Sequence, residues 1–390
     1  MQKSIVTSFI RFLSGYWLAV FCLSLLFILT WLSTLEQPEK GLYVVQQRYY
    51  SADSWFVSPD LDFIPKIKGN SICPPLPSAY LISIILFINL TLGGLIRIKK
   101  NWKRLGIILS HFSIVGLLVA GFISHHYSKE GIMMVYQGDK SDYAQSYTEF
   151  SIEVAKYKNG VKLAPYVIPS HELMNLQKED VLTVNIAPLD LQLKVSDWLP
   201  NAELFPSENP AKIPHLVKAQ ELNPTAEVNQ VACKVTLSGA VNRSAPLQLH
   251  GQLNESMLTL SANESIGIQL IKEVWKMPFY IHLDSSIGEY HPNTSRPKYF
   301  ESQVTKLNTA DEKQGDAYTI KMNEPLRHNG YTLYQAKWIG DTARPQSGFA
   351  VVNNPADQWP KYCLYLATLG LTAHFGMQLT QFLLKRNAKK

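Results

Sequence analysis

Arg97-Ile-Lys-Lys-Asn-Trp-Lys-Arg-Leu-Gly-Ile-Ile-Leu-Ser-His111-Phe-Ser-Ile-Val-Gly-Leu-Leu-Val-Ala-Gly-Phe-Ile-Ser-His-His-Tyr127 decides how the chain is read. The stretch opens on five basic residues, Arg97, Lys99, Lys100, Lys103 and Arg104. Leu105 to Ser124 then runs without a charge, long enough to cross a hydrocarbon core of about 30 Å as a helix. His111 interrupts that apolar run about two turns from the basic end. Lipid offers an imidazole neither hydrogen bonds nor a high dielectric, so an intramembrane His needs a partner and marks a candidate functional site. The alternative is a neutral His bonded to a Ser or to backbone on a neighbouring helix.

Working outward, three further stretches lack Asp, Glu, Lys and Arg: Phe12–Leu35, Leu76–Ile96 and Tyr362–Leu384. Each is also long enough to span. The mean hydropathy of -0.05 averages these with a polar, Pro-rich remainder. Charge sorts by side. The stretches 1–35, 97–104 and 385–390 carry Lys and Arg and no acid. All 31 acidic residues lie in 36–75 and 125–361. This is a positive-inside pattern, predicting both ends of the chain and the 97–104 loop on the cytoplasmic side. The pI of 8.9 reports orientation and gives no nucleic-acid signal, since no basic stripe is left on the outer part.

The organisation that follows is 1–35 N-terminal tail and helix, 36–75 outer loop, 76–96 second helix, 97–104 basic loop and 105–124 third helix. After these come 125–361 outer domain, 362–384 fourth helix and 385–390 tail. The N-terminal apolar run exceeds a signal-peptide core and lacks a small-x-small cleavage site, and reads as a retained anchor. The 42–56 region is rich in Tyr and Trp and reads as a loop on the membrane face. The outer domain holds short alternating runs at Phe150–Val154, Leu182–Ile186, Leu191–Val195, Ala232–Leu237, Ile266–Leu270, Tyr318–Met322, Tyr331–Tyr334 and Phe349–Val352. Gly, Pro, Asn and Asp separate them, predicting antiparallel strands. Asn329-Gly330 between two runs predicts a two-residue hairpin turn with positive φ. The fold class is therefore an α+β membrane protein. Four transmembrane helices carry a large extracytoplasmic antiparallel β domain, a sandwich or open barrel, between the third and fourth.

A second histidine, His374, lies in the fourth apolar stretch within Gly370-Leu-Thr-Ala-His-Phe-Gly376. At 1.5 Å per residue His111 lies roughly 10 Å and His374 roughly 15 Å from the inner face. Two imidazoles at similar depth fit a bis-His haem site, or each bonds a neighbouring helix separately. Gly106, Ser110, Ser113, Gly116 and Ala120 form a small-residue stripe beside His111, suited to a tight helix interface or to room for a flat ligand. His125 and His126 are expected at headgroup level and His282 on a strand face. The remaining histidines show no metal-ligand spacing, and no Ser-His-Asp set or carboxylate pair indicates hydrolysis. No CxxC or CxxCH occurs among the four cysteines, and a Cys73–Cys233 disulfide is one expectation for an oxidising compartment.

Several segments resemble the ResB-like (CcsB) family of System II cytochrome c biogenesis. They are Ser33-Thr-Leu-Glu-Gln37, Arg104-Leu-Gly-Ile-Ile-Leu-Ser-His111 and Tyr290-His-Pro-Asn-Thr-Ser-Arg-Pro-Lys-Tyr-Phe-Glu-Ser302. Asn323-Glu-Pro-Leu-Arg-His-Asn-Gly-Tyr-Thr-Leu-Tyr-Gln335 and Asn353-Asn-Pro-Ala-Asp-Gln-Trp-Pro360 complete the set, and the matches are sparse across 155–270. The resemblance implies a bacterial inner-membrane protein working with a CcsA/ResC-type partner, with apocytochrome c as client and a thioredoxin-like thiol reductant nearby. It implies haem b as the group handled and His111 as the family's transmembrane axial ligand. It ranks His374 below a His supplied by the partner. The Trp-rich haem-handling motif of the partner family is absent, so this chain alone is expected to be the non-catalytic half of a holocytochrome c synthase. The competing expectation is an anchored scaffold with a β ectodomain and no ligand in the membrane.

Overall fold

The computed structural model describes residues 2–387 apart from 53–54, 62–65, 68–69, 72–73, 175, 177–178, 207–214, 242, 295, 313 and 341–343. It divides into two compact units, Met1–Ser128 with Asn354–Lys390, and Lys129–Asn353.

The first unit is helical. α1 (Gln2–Leu13) is followed after a break by α2 (Tyr16–Lys40), α3 (Leu42–Tyr50) and α4 (Ala79–Asn89). α4 runs on as a π-helical segment, Leu90–Ile96, before α5 (Leu105–Tyr127). Among the described residues, three helices are long and apolar enough to cross a membrane by length and composition: Tyr16–Lys40, Ala79–Ile96 and Trp102–Tyr127.

The first apolar stretch is not one helix from Phe12. It breaks at Ser14–Gly15, where Gly15 is extended. The cause lies far along the chain. The Asn89 side-chain amide donates to the carbonyls of Leu13 and Gly15 at 2.7 and 2.9 Å. Those carbonyls sit at the break, and the amide supplies partners that an interrupted helix would otherwise lack.

α2 also outruns its expected end, passing Pro38 to stop at Gly41 with φ 79°. The aromatic stretch after it is the short helix α3, where a loop was expected. Buried Glu36 pins it. Its carboxylate accepts from the Tyr49 hydroxyl at 2.7 Å, the Arg48 guanidinium at 3.0 Å and the Asp60 backbone N–H at 2.5 Å. Ser33 shares a 2.9 Å hydrogen bond with the Tyr50 hydroxyl. Leu29, Val45, Tyr49, Ile82 and Leu86 fill the core between α2, α3 and α4, each large apolar side chain contributing about 1.5–3 kcal/mol on burial. The second apolar helix starts at Ala79, capped by Ser78, because Leu76–Pro77 pairs with Phe56–Val57 as a short ladder.

The second unit is antiparallel β. All eight predicted runs form strand, Met322 alone falling just past its end. An 11-stranded sheet is built around two long strands, Lys140–Lys158 and Glu264–Tyr290. Their pairing shifts register between Lys272 and Val274 and between Lys276 and Ile281, dividing each strand into two working halves. Ile266, Ile268 and Leu270 pack with Phe150 and Ile152 against a four-stranded sheet that supplies Leu193, Val195 and Val235. Met277, Phe279, Ile281 and Leu283 pack in a separate core with Leu333, Phe349 and Val351.

The Asn329-Gly330 turn has φ 48° and 77°, with His328 opposite Tyr331. This is the mirror-image turn that the right-handed twist of a hairpin favours. Cys233 lies in the first core with a free thiol that burial pushes up to about 12. Cys73, its expected partner, lies outside the described residues.

α7 (Trp359–Asn387), the last helix, is 29 residues long. Thr, His and Gln dilute its apolar face at 368, 372, 374, 378, 380 and 381. The one-turn helix α6 (Ser170–Leu173) lies in the β unit.

Candidate functional site

α5 and α7 pack antiparallel through glycine. A Cβ on Gly106 would stand 2.5 Å from the Gly370 carbonyl, and one on Gly370 would stand 2.7 Å from the Gly106 carbonyl. Further along, a Cβ on Gly116 would stand 2.8 Å from Cys363 Sγ. Ser113 and Ala120 are buried at the same face. The small-residue stripe thus serves a tight helix interface, and space opens beside it. Ile107, Ser110, His111 and Ile114 of α5 and Leu371 and His374 of α7 line one cavity of about 240 Å³. Positions 107, 111 and 114 share a face of α5 by helical spacing, as 371 and 374 do on α7.

The His111 ring is fixed from two sides. Its Nδ1 lies 2.8 Å from the Ile107 carbonyl oxygen. A carbonyl can only accept, so Nδ1 carries a hydrogen, and in the neutral imidazole Nε2 then carries the lone pair. Behind the ring lies Gly94 of the π-helical segment, where a Cβ would come within 2.6 Å of His111 Cδ2. Only glycine allows that approach. The π segment turns Gly94 toward α5 at this point, and such insertions are frequent at functional sites. Nε2 makes no hydrogen bond among the described residues.

His374 is placed differently. Its Nε2 lies 3.0 Å from the Gln378 amide nitrogen, one helical turn on. With the amide donating, Nε2 is occupied as an acceptor. Nδ1 is buried and has no hydrogen-bond partner. The two sequence-predicted site histidines therefore share one cavity and each leaves one ring nitrogen unengaged, but in the neutral rings only that of His111 is the lone-pair nitrogen, because with Nε2 of His374 accepting its free Nδ1 carries the hydrogen.

His126 shares a 3.2 Å hydrogen bond with the Tyr80 hydroxyl, so it is tied to α4. His282 lies in a strand, 2.8 Å from Asp284. His250 is buried, with Nε2 3.1 Å from the Ala202 carbonyl and Nδ1 accepting from the Gln252 N–H. Burial lowers its pKa, and the imidazole is a satisfied neutral core residue. No group of three His, Cys, Asp or Glu able to hold a metal ion occurs among the described residues.

The Gly94 contact and the Glu36 cluster were not assigned roles from sequence. Glu36 stood inside the Ser33–Gln37 segment. Their partners, His111, Tyr49 and Asp60, are set by the fold.

Residues 254–363 match the family model described as the ResB-like family. They include the 290–302 and 323–335 segments. No curated protein matches the chain.

Proposed function

Taking the ResB-like match as premise, we propose that this chain is the haem-handling membrane subunit of a cytochrome c biogenesis complex, with His111 Nε2 as an axial ligand. The observation that carries this reading is the Nδ1–H to Ile107 carbonyl bond. Ligating histidines characteristically donate their second ring N–H to a carbonyl or carboxylate, which fixes the tautomer and raises the basicity of the bound nitrogen. The same bond holds the imidazole at a set rotation, so little ordering cost remains when a ligand arrives.

The residues fit a single axial ligand better than a complete haem pocket. About 240 Å³ falls below the range of roughly 300–1,000 Å³ typical of sites that enclose a small molecule. A second chain of CcsA/ResC type is then needed to supply the other wall and the opposing His. His374 serves beside the macrocycle, held by Gln378, rather than as the second ligand. Haem, when bound, would offer an iron open to the His111 imidazole, and the whole macrocycle would be the group passed on to apocytochrome c. This chain contributes a ligand, an apolar wall and a glycine-cleared approach.

In this reading all four long helices span a bacterial inner membrane, and the β unit is extracytoplasmic. There it is a dock for the partner, for apocytochrome c and for a thioredoxin-like reductant. No nucleic acid is involved, and the chain is not catalytic by itself.

The test is the complex purified with its partner. His111→Ala should insert and co-purify normally, because Ala is more comfortable in lipid than His. It should lose the Soret band and cytochrome c maturation by tenfold or more, and added imidazole should restore part of both. His374→Ala should keep most of the haem. An unchanged Soret band in His111→Ala would instead favour an anchored scaffold with no ligand in the membrane.

A further inference from the structure

A second and larger cavity lies in the helical unit, of about 590 Å³, between α2, α4 and α5 with Tyr50 of α3 at its edge. α4 and α5 supply Tyr80, Phe87, Leu117, Gly121, Phe122 and His125 to its wall. The volume lies within the range of sites that take a small organic molecule. Its lining is almost wholly apolar and holds no Asp, Glu, Lys or Arg among the described residues. An anionic head, whether phosphate or carboxylate, would therefore lie in an apolar wall without a cation, at a cost that makes it a poor occupant.

The polar groups gather at one end. The rings of Tyr80 and His125 stand 6.1 Å apart, centroid to centroid. The Tyr80 oxygen lies 3.2 Å from His126 Nε2. In the His126 tautomer that carries its hydrogen on Nε2, this nitrogen donates to Tyr80 and the hydroxyl proton is left to donate to a carbonyl in the cavity. Phe87 and Phe122 offer flat faces for a ring. Phe122 is half exposed on α5, so the cavity is open to the outside along that ring.

From a neutral wall, a hydroxyl donor at one end and aromatic faces beside it, we propose that this cavity binds the ring of a neutral isoprenoid quinone, its tail running along Phe87 and Leu117. The site is separate from the His111 groove and does not depend on His111 ligating haem. Only binding is assigned to it.

Gly121 makes the proposal testable without disturbing the fold. A Cβ there meets nothing within 4 Å and Gly121 lines the cavity, so a larger side chain is added at the cavity wall without meeting a neighbour. The experiment uses the full chain in phosphatidylcholine nanodiscs, with decylubiquinone as probe. Bound quinone is read by solvent extraction and redox difference absorbance, and haem content is read in parallel on the partner complex. Wild type should bind about one probe per chain. Gly121→Leu should reduce occupancy at least tenfold, and Tyr80→Phe should weaken binding roughly fivefold by removing one hydrogen bond. Both should leave the Soret band unchanged. Absence of probe binding to wild type would overturn the proposal. So would full binding to Gly121→Leu, or native mass spectrometry showing only phospholipid in the site. If Gly121→Leu fails to insert, Tyr80→Phe decides: unaltered affinity there would also sink it.

Discussion

At the scale of single residues, two buried ionisable groups carry predictions of opposite kind. Glu36 is 1% exposed and serves three donors at once. Glu36→Ala would remove the acceptor that the Tyr49 hydroxyl, the Asp60 N–H and the Arg48 guanidinium share. Removing one partner of a buried ion pair costs about 3–5 kcal/mol. The low end applies here because the Arg48 side chain is 33% exposed and can reach water. The expected result is faster tryptic cleavage at Lys40 and Arg48, with α3 released from α2, whereas Glu36→Gln keeps an acceptor and should be cut more slowly than the Ala variant. Equal cutting of all three proteins would leave Glu36 without this anchoring role.

His250 supplies the pH dependence. Burial lowers its pKa from the ordinary value of about 6.5, the Ala202 bond opposing and His215 assisting. The unfolded chain then binds a proton at higher pH than the folded chain does. Stability is full above the unfolded value and falls as pH drops through about 6.5 toward the lower folded value. Thermal unfolding of the β unit within the whole protein should shift down between pH 7.5 and 5. His250→Gln, which has no proton to gain, should flatten that slope whatever its starting stability. A variant that kept the full wild-type slope would assign the effect to other groups.

Among elements, the sequence was informative where the structural cause is local. The strands were legible because their inward and outward residues alternate, and each side chain's fate follows from its neighbours two positions away. The 329–330 turn was legible because a mirror-image turn requires positive φ at both central positions. Gly330→Val should accordingly destabilise the hairpin by about 1–3 kcal/mol through backbone strain alone. Space is available there, since the nearest atom to an added Cβ is Asn353 Oδ1 at 3.9 Å. Gly330→Asn, able to adopt the left-handed conformation, should melt close to wild type. Identical melting of the Val and Asn variants would remove strain as the explanation. The helical elements were harder wherever a distant residue sets the boundary. The α1–α2 break depends on Asn89, 76 positions after Leu13. α3 depends on Glu36 and Ser33, and the role of the π segment appears only when Gly94 is seen against His111. At the site, the placing of the two histidines at one level of the α5–α7 pair was legible from a constant helical rise. Their inequality was not, because it rests on which carbonyl or amide each ring nitrogen meets.

At the scale of the whole molecule, α7 decides the topology. Its length gives roughly 43 Å at 1.5 Å per residue, more than a hydrocarbon core of about 30 Å. Its composition is less apolar than that of the three candidate spans. The decisive feature is what it leaves uncovered. Leu364, Tyr365, Leu369, Leu371, Phe375, Leu379, Phe382, Leu383 and Leu384 are all exposed, while Gly370 is buried against α5. A helix apolar around most of its circumference and docked along one narrow glycine seam is unfavourable in water and comfortable in lipid. If α7 crosses, Lys385 and Arg386 in its last turn meet the same side as the 97–104 loop, as the positive-inside pattern predicts. Three crossings alone would leave the end of the chain on the side of the β unit; a fourth returns it to the side of residues 1–11. A phosphatase reporter joined after Lys390 should therefore be inactive and a fluorescent reporter at the same point bright, while a phosphatase inserted after Gly160 should be active. Phosphatase activity at both positions would mean that α7 lies outside the bilayer, and His374 would lose its place at the depth of His111.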